Sequence, residues 1–352
     1  MTDDPTSRRK DAHLDLCATG EVEPATNSTL FECVRLVHCA MPELSLDEVD
    51  LSVPFLGRTL KAPLLMTGMT GGSERAGVVN RELAAVAEAH GLAFGVGSQR
   101  AMSERPEHAA SFQVRDVAPN VALLGNIGLQ QATALGVDGV RRLMDAIGAD
   151  GMAVHLNAAQ ELTQPEGDRD FRGGYALLEQ LASALGDRLL VKETGCGISS
   201  HVARQLVAVG VRALDVSGLG GTSWVRVEQL RREGMAARVA EEFSDWGIPT
   251  AAAIAAVRRR LGPEPVIVAS GGLRTGSEIA KALALGADLA GMALPFFRAQ
   301  QSGGPRAVED VLGGVLRALR QAMVLTGSRN VAELRTRPRV MTGALKDWLE
   351  AA

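Results

Sequence analysis

At one station after another along the chain, a short apolar run gives way to hydrogen-bonding or charged residues. These stations read Thr67-Gly68-Met69-Thr70-Gly71-Gly72, Ser98-Gln99-Arg100, Asn126, His155-Leu156-Asn157, Lys192-Glu193, Ser217-Gly218 and Ser270-Gly271-Gly272. Each alone serves equally well as a cap or turn residue. Their recurrence at one structural position is what points to a site. The sharpest local signal is SGGLRTGS at 270–277. Two adjacent glycines let backbone N–H groups converge on an anion, and a following helix adds its positive end, so a phosphate-bearing ligand is expected here. Lys192 closes the apolar run Leu189-Leu190-Val191. A desolvated ammonium calls for an anionic partner, which makes Lys192 a candidate Schiff-base lysine, a companion for an electron-rich cofactor ring, or half of a structural ion pair. His155 and Asn157 alternate onto one face of their strand, with Gln160 and Glu161 in the loop above. Glu161 is a candidate ligand for Mg2+, a hard cation that combines one carboxylate with substrate phosphate oxygens. Arg8-Arg9-Lys10, with His13 close behind, is either a solvated tail or a clamp for a diphosphate.

The elements that must carry these residues are legible as apolar runs at 62–67, 92–97, 121–125, 151–156, 188–192, 212–216, 266–269 and 288–293. Several are almost continuously apolar, as strands covered on both faces are. Helical segments lie between them. Residues 76–90 place Val79, Leu83, Val86 and Ala87 on one face and stop at Gly91; Ser199 caps a helix ending at Gly210, and Ser277 caps one ending at Gly286. Strand and helix in alternation mean a parallel sheet, and eight units suggest a closed (β/α)8 TIM barrel of the α/β class. Loops after strands 7 and 8 are the usual phosphate site of that fold, which places SGGLRTGS and Gly291-Met292-Ala293-Leu294 together. We expect an N-terminal extension over 1–61, the barrel over 62–325 with a helix at 305–325, and a C-terminal tail over 326–352. One connection is long: 224–247, after strand 6 and before an Ala-rich helix at 250–260, reads as a charged loop, either a lid or a surface excursion.

Composition bounds the function. The chain has 352 residues, 46% hydrophobic, with a net charge of −4, enough for one large core and without the clustered basic face of a nucleic-acid binder. Aromatics are only 3%, so the core is expected to be built from Ala, Val, Leu and Met. Cys17, Cys33, Cys39 and Cys196 form no C-x-x-C pair and no zinc spacing. The polar start MTDDPTSRRKDAH shows no signal core, and no run approaches a membrane span; a cytoplasmic protein with no membrane partner is the expectation.

Taken together, RKDAH at 9–13, MTGMTGG at 66–72, GVGSQR at 95–100, GNIG at 125–128, HLNAAQE at 155–161, VKETG at 191–195, SGLGGTSW at 217–224 and SGGLRTG at 270–276 resemble type 2 isopentenyl-diphosphate isomerases, over about residues 8–300. The resemblance implies FMN held by Thr67, Gly68, Met69, Thr70, Ser98, Asn126, Lys192, Ser217 and Thr222, its phosphate by the backbone of Gly271, Gly272 and Leu273, with Ala293 and Leu294 alongside. It implies a diphosphate substrate surrounded by Arg9, Lys10, His13, Ser98, Gln99, Arg100, His155 and Asn157, with Gln160 at the hydrocarbon end and Glu161 holding Mg2+. His155 and Gln160 would be the catalytic side chains beside a reduced flavin, NADPH would prime that flavin, and the enzyme would assemble as a homotetramer or homo-octamer.

Three other readings compete. FMN barrel oxidases of 2-hydroxy acids typically carry S-N-H-G-G near strand 6; here Leu219 stands where their base would be, and that chemistry requires a base. A nucleotide dehydrogenase barrel needs a nucleophilic cysteine in a mobile loop, and the Thr-Gly-Cys-Gly context of Cys196 is unlike it. A non-catalytic flavin carrier would have no use for Gln160, Glu161 and the basic arm.

Overall fold

The computed structural model describes residues 5–351, with side chains from Lys10 onward. Eight parallel strands close into a barrel. They are β1 (Leu64–Met66), β2 (Ala93–Gly95), β3 (Ala122–Gly128), β4 (Gly151–Leu156), β5 (Leu189–Glu193), β6 (Ala213–Asp215), β7 (Val266–Ala269) and β8 (Leu289–Met292). Closure is between β8 and β1, where Ala290 pairs with Leu64 and Met292 with Met66. The strands coincide with the eight apolar runs because strands walled by helices outside and packed side chains inside have no wet face. All seven residues of β3 are buried. β3 runs past its apolar run to Gly128, so Asn126 lies within the strand rather than beyond it.

The helices follow their sequence signals with two differences. Ser73 caps Glu74–Ala89 and Ser199 caps Ser200–Ala208. The helix Gly276–Leu285 is capped not by Ser277 but by Thr275, whose hydroxyl accepts the Glu278 N–H while the Glu278 carboxylate accepts the Thr275 N–H, a capping box. The helix expected at 305–325 begins earlier, at Leu294, and is kinked at Gly303 and Gly304. The charged stretch after β6 is folded rather than loop-like: Trp224–Leu230 and Gly234–Glu242 are both helical.

Ala, Val and Leu dominate the buried residues, as composition requires, but Phe31, Phe94, Phe112, Phe296 and Phe297 are fully buried too. Five of the eight phenylalanines are thus spent inside, while Tyr175, Phe243, Trp246 and Trp348 are exposed. The N-terminal extension and the C-terminal tail meet outside the barrel sheet, where Val34–Leu36 pairs antiparallel with Arg339–Met341. The N-terminal helix Pro5–Thr19 lies against the helices Trp224–Leu230 and Leu294–Leu325, which brings its residues to the mouth of the barrel.

Candidate active site

Two adjoining clefts open at the carboxyl rim. One, of about 550 Å3, is lined by Thr67, Ser217, Thr222, Gly271, Gly272, Ala293 and Leu294 among others. The second, of about 720 Å3, is lined by Lys10, Ser98, Arg100, Asn126, His155, Asn157, Gln160 and Glu161 among others. Gly68, Met69, Lys192, Thr194 and Trp224 border both.

The smaller cleft is made by backbone. Gly271 and Gly272 follow β7 with φ of 96° and 86°, a region where side chains are strained. A Cβ on Gly272 would stand 2.4 Å from the Gly220 carbonyl oxygen. The loops after β6 and β7 therefore press together main chain to main chain, and the Gly218 N–H donates to the Ser270 carbonyl at 3.0 Å. Such a glycine cradle ahead of the helix Gly276–Leu285 fits the phosphate of a flavin nucleotide. Arg274 lines the same cleft and is tied to Glu23 of the N-terminal extension.

The larger cleft is made by side chains held from behind. The Asn126 amide donates to the Val96 carbonyl at 3.1 Å, which turns its Oδ1 toward His155 Nδ1 at 2.9 Å. Nδ1 must therefore carry the hydrogen, leaving Nε2 as an acceptor. Burial, then the charges of Lys192 and Lys10, push His155 down to about 3, so the ring is neutral at ordinary pH. Glu161 is buried. One of its oxygens accepts from the Asn157 amide at 2.8 Å and the other from the Asp168 N–H at 2.9 Å. Asn157 Oδ1 is buried without a hydrogen-bond partner, an acceptor waiting beside a carboxylate, as suits a hydrated hard cation. Among the described residues no three His, Cys, Asp or Glu side chains cluster as a metal site. A cation here would depend on Glu161 together with oxygens of the substrate.

Over this cleft the N-terminal helix and the insertion after β6 are locked together. Glu228 is fully buried. It accepts from His13 Nε2 at 2.9 Å, Gln164 Nε2 at 2.8 Å and Arg231 Nη1 at 2.7 Å. The His13 ring stands edge-on to Trp224, with centroids 5.4 Å apart.

Most residues singled out in the sequence converge on these two clefts, but three do not as expected. Gln99 is fully buried behind the wall, its amide donating to the Leu143 carbonyl and its oxygen accepting the Asn126 N–H. Thr70 lies beneath the rim with its hydroxyl unpartnered. His13 reaches the cleft, but its Nε2 is committed to Glu228. The Arg9 side chain lies outside the described residues. Sequence reasoning missed Trp224, Thr194, Gln131 and Gln164 on the larger cleft and Arg274 on the smaller. For Trp224 a signal existed: it is the last residue of SGLGGTSW.

Comparison with known proteins agrees with this geometry. An isopentenyl-diphosphate delta-isomerase of Pyrococcus furiosus is 45% identical over 98% of this chain and 89% of its own. One from Methanosarcina mazei is 45% identical over 98% and 94%. The chain belongs to the type 2 isopentenyl-diphosphate isomerase family. Residues 161–340 also match the FMN-dependent dehydrogenase family. Solved structures of mandelate oxidase superpose with a TM-score of 0.67 at 16% identity, over 96% of this chain and 97% of that one, a likeness of fold.

The site separates this family member from such oxidases. Leu219 is buried, and its main chain is bound to Ile248 and Thr250, so this position offers no base. Nor does Cys196 offer a nucleophile. Burial, with Glu193 nearby, pushes its thiol up to about 12, and it borders neither of the two clefts.

Proposed function

We propose that the enzyme converts isopentenyl diphosphate to dimethylallyl diphosphate by a 1,3-allylic proton shift, with FMN in its reduced form in the smaller cleft and Mg2+ on the diphosphate in the larger. The observation that carries the reading is the shared border of the two clefts. A glycine cradle for a phosphate lies on one side, cations and a buried carboxylate lie on the other, and Lys192 stands between them.

The shift adds a proton to the terminal methylene and removes one from the allylic carbon, with no net electron transfer. The side chains of the larger cleft are poor candidates for that work. His155 is neutral with Nε2 bare, Gln160 has no ionisable proton, and Glu161 is already hydrogen-bonded through both oxygens. Reduced flavin, when bound, supplies the missing proton donor and acceptor. The chain does the rest. Lys10 and Arg100 attract the diphosphate, Asn157 and Glu161 hold its cation, and His155 Nε2 accepts a hydrogen bond. Gln160 sits toward the hydrocarbon end, and Trp224 covers the junction and keeps water from it. NADPH serves only to supply the electrons that reduce the flavin.

The deciding experiment is an anaerobic assay of the purified protein with isopentenyl diphosphate, FMN, Mg2+ and NADPH, followed by product analysis. Dimethylallyl diphosphate that requires both reduced flavin and Mg2+ is the expected result. Bound, reducible FMN with no product would sink the proposal.

A further inference from the structure

Asp215 has no part in the reading above, yet its setting is particular. It ends β6 and stands in register beside Lys192 of β5. It is fully buried. Its Oδ1 accepts hydrogen bonds from the Ser217 N–H at 3.1 Å and the Ser270 hydroxyl at 2.7 Å. Its Oδ2 is sealed from solvent and accepts none. Burial raises this carboxyl, opposed first by the charge of Lys192 and then by the hydrogen bonds of Ser270 and Ser217, so its charged form depends on the lysine beside it. A buried carboxylate in turn needs a positive charge nearby.

Lys192 is that charge, although the two do not hydrogen-bond. The ammonium donates instead to the Glu193 carbonyl at 2.6 Å, and Lys192 borders both clefts. Three titratable groups face it: His155 in register on β4, Glu193 next along β5 and Asp215 on β6. His155 is neutral, held down mainly by burial. Burial pushes Glu193 up to about 7, and its carboxylate is turned to the Thr194 and Cys196 N–H groups, both at 2.7 Å, so it retains the lysine's proton less than Asp215 does. Burial also works against the proton on Lys192, and Asp215 leads the groups that retain it.

We propose that Asp215 is the charge-setting partner of Lys192: paired in register, each holds the other charged, and the carboxylate keeps the lysine an ammonium where it faces the flavin. Asp215 is thus a positioning residue, acting on the cofactor through Lys192. The inference rests on the reading that FMN occupies the smaller cleft beside Lys192. In the wild-type protein, two-electron reduction to the flavin anion then takes up one proton, on the flavin. With Asp215 replaced by Asn, Lys192 is neutral beside oxidised flavin. It takes up a second proton, on Nζ, as negative charge arrives on the ring.

The test is a spectroscopic redox titration of FMN-loaded wild type and Asp215→Asn, without substrate, from pH 7.5 to 9, with a chemical reductant. Wild type should show a tenfold change in the reduction equilibrium per pH unit and Asp215→Asn a hundredfold change, about 30 and 59 mV per unit. The double variant D215N/K192M should return to tenfold, since the second proton has nowhere to go. Equal slopes in wild type and Asp215→Asn overturn the proposal. If Asp215→Asn fails to fold while the double variant folds, the lysine's charge is what required the carboxylate, which supports it. If both fail, Asp215 is only a brace for Ser217 and Ser270, and the proposal falls. A wild type that binds no FMN removes the reading beneath it; a wild type that binds FMN but does not isomerise leaves this test intact.

Discussion

Replacing Glu228 by Gln asks whether the cleft's cover is held by charge or merely by shape. The carboxylate joins three separate parts of the chain: His13 of the N-terminal helix, Gln164 above β4, and Arg231 of the insertion. Burial pushes its carboxyl up, but His13, Arg231 and Gln164 outweigh burial and hold it at about 2 against an ordinary 4.5. That difference corresponds to about 3 kcal/mol of folding stability at ~1.4 kcal/mol per pH unit. The sign follows from a depressed carboxyl: the contribution is complete above 4.5 and is lost as pH falls toward 2. The substituted amide keeps the shape and one acceptor but turns an NH2 toward one of the three donors. Glu228→Gln should therefore cost about 3 kcal/mol at pH 7. For a chain of 352 residues, an unfolding entropy of roughly 0.7 kcal/mol/K converts this to a Tm lower by about 4 °C. Thermal melts of both proteins at pH 4, 6, 7 and 8 make the measurement. The gap should be constant from pH 6 to 8 and narrower by about 1 kcal/mol at pH 4. Because the freed helix carries Lys10, KM for the diphosphate should rise more than kcat falls. A variant melting within about 1 °C of wild type at pH 7, or a gap that ignores pH, would refute the charge argument.

Three further outcomes are expected. Glu161→Gln should weaken Mg2+-dependent turnover by about 100-fold or more while leaving FMN affinity, read by flavin fluorescence, unchanged; a loss of FMN binding would misplace Glu161. Gly272→Ala places a Cβ 2.4 Å from the Gly220 carbonyl oxygen at a φ of 86°. It should lower stability by about 2 kcal/mol or more and release FMN on gel filtration, and full retention of flavin with an unchanged melt would contradict the cradle. His155, held down to about 3 against an ordinary 6.5 chiefly by burial, binds a proton only on unfolding between those values, so wild-type stability falls as pH drops below 6.5. Relative to wild type, His155→Asn should gain about 2 kcal/mol between pH 7 and pH 5 in urea unfolding; parallel pH profiles would show that His155 is not neutral in the folded protein.

The barrel was legible because fully covered strands leave long apolar runs, and the rim was legible because each run ends in polar residues. What the pattern could not supply was direction. Ser98, Gln99 and Arg100 look equivalent in sequence, yet Ser98 and Arg100 line the cleft while Gln99 faces outward to Leu143. The chain alternates there between strand end and helix start, and polarity alone does not record which way a side chain turns. Glu228 was illegible for another reason. Its meaning depends on His13, which lies 215 residues away, and nothing local distinguishes it from the other carboxylates of the charged stretch 224–247.

One periodicity went unread and bears on how the rim stays in place. Gly-Ala-Asp occurs at 148–150 and again at 286–288, immediately before β4 and before β8. In both places the Asp accepts the N–H of the second residue of the preceding strand: Leu123 at 2.8 Å for Asp150 and Ile267 at 2.7 Å for Asp288. In both it also pairs with two arginines from outside the barrel, Arg58 and Arg115 in one case, Arg258 and Arg335 in the other. These are entry ends of strands, opposite the clefts, where fixed residues serve stability rather than chemistry. The two aspartates tie β3 to the start of β4 and β7 to the start of β8, half a barrel apart, and the strands they introduce lead to His155 and Asn157 at one exit and Met292 and Ala293 at the other. The site's two lobes are therefore registered from below by the same device. That explains how side chains on separate loops, with few hydrogen bonds between the lobes, still meet across one border at Lys192.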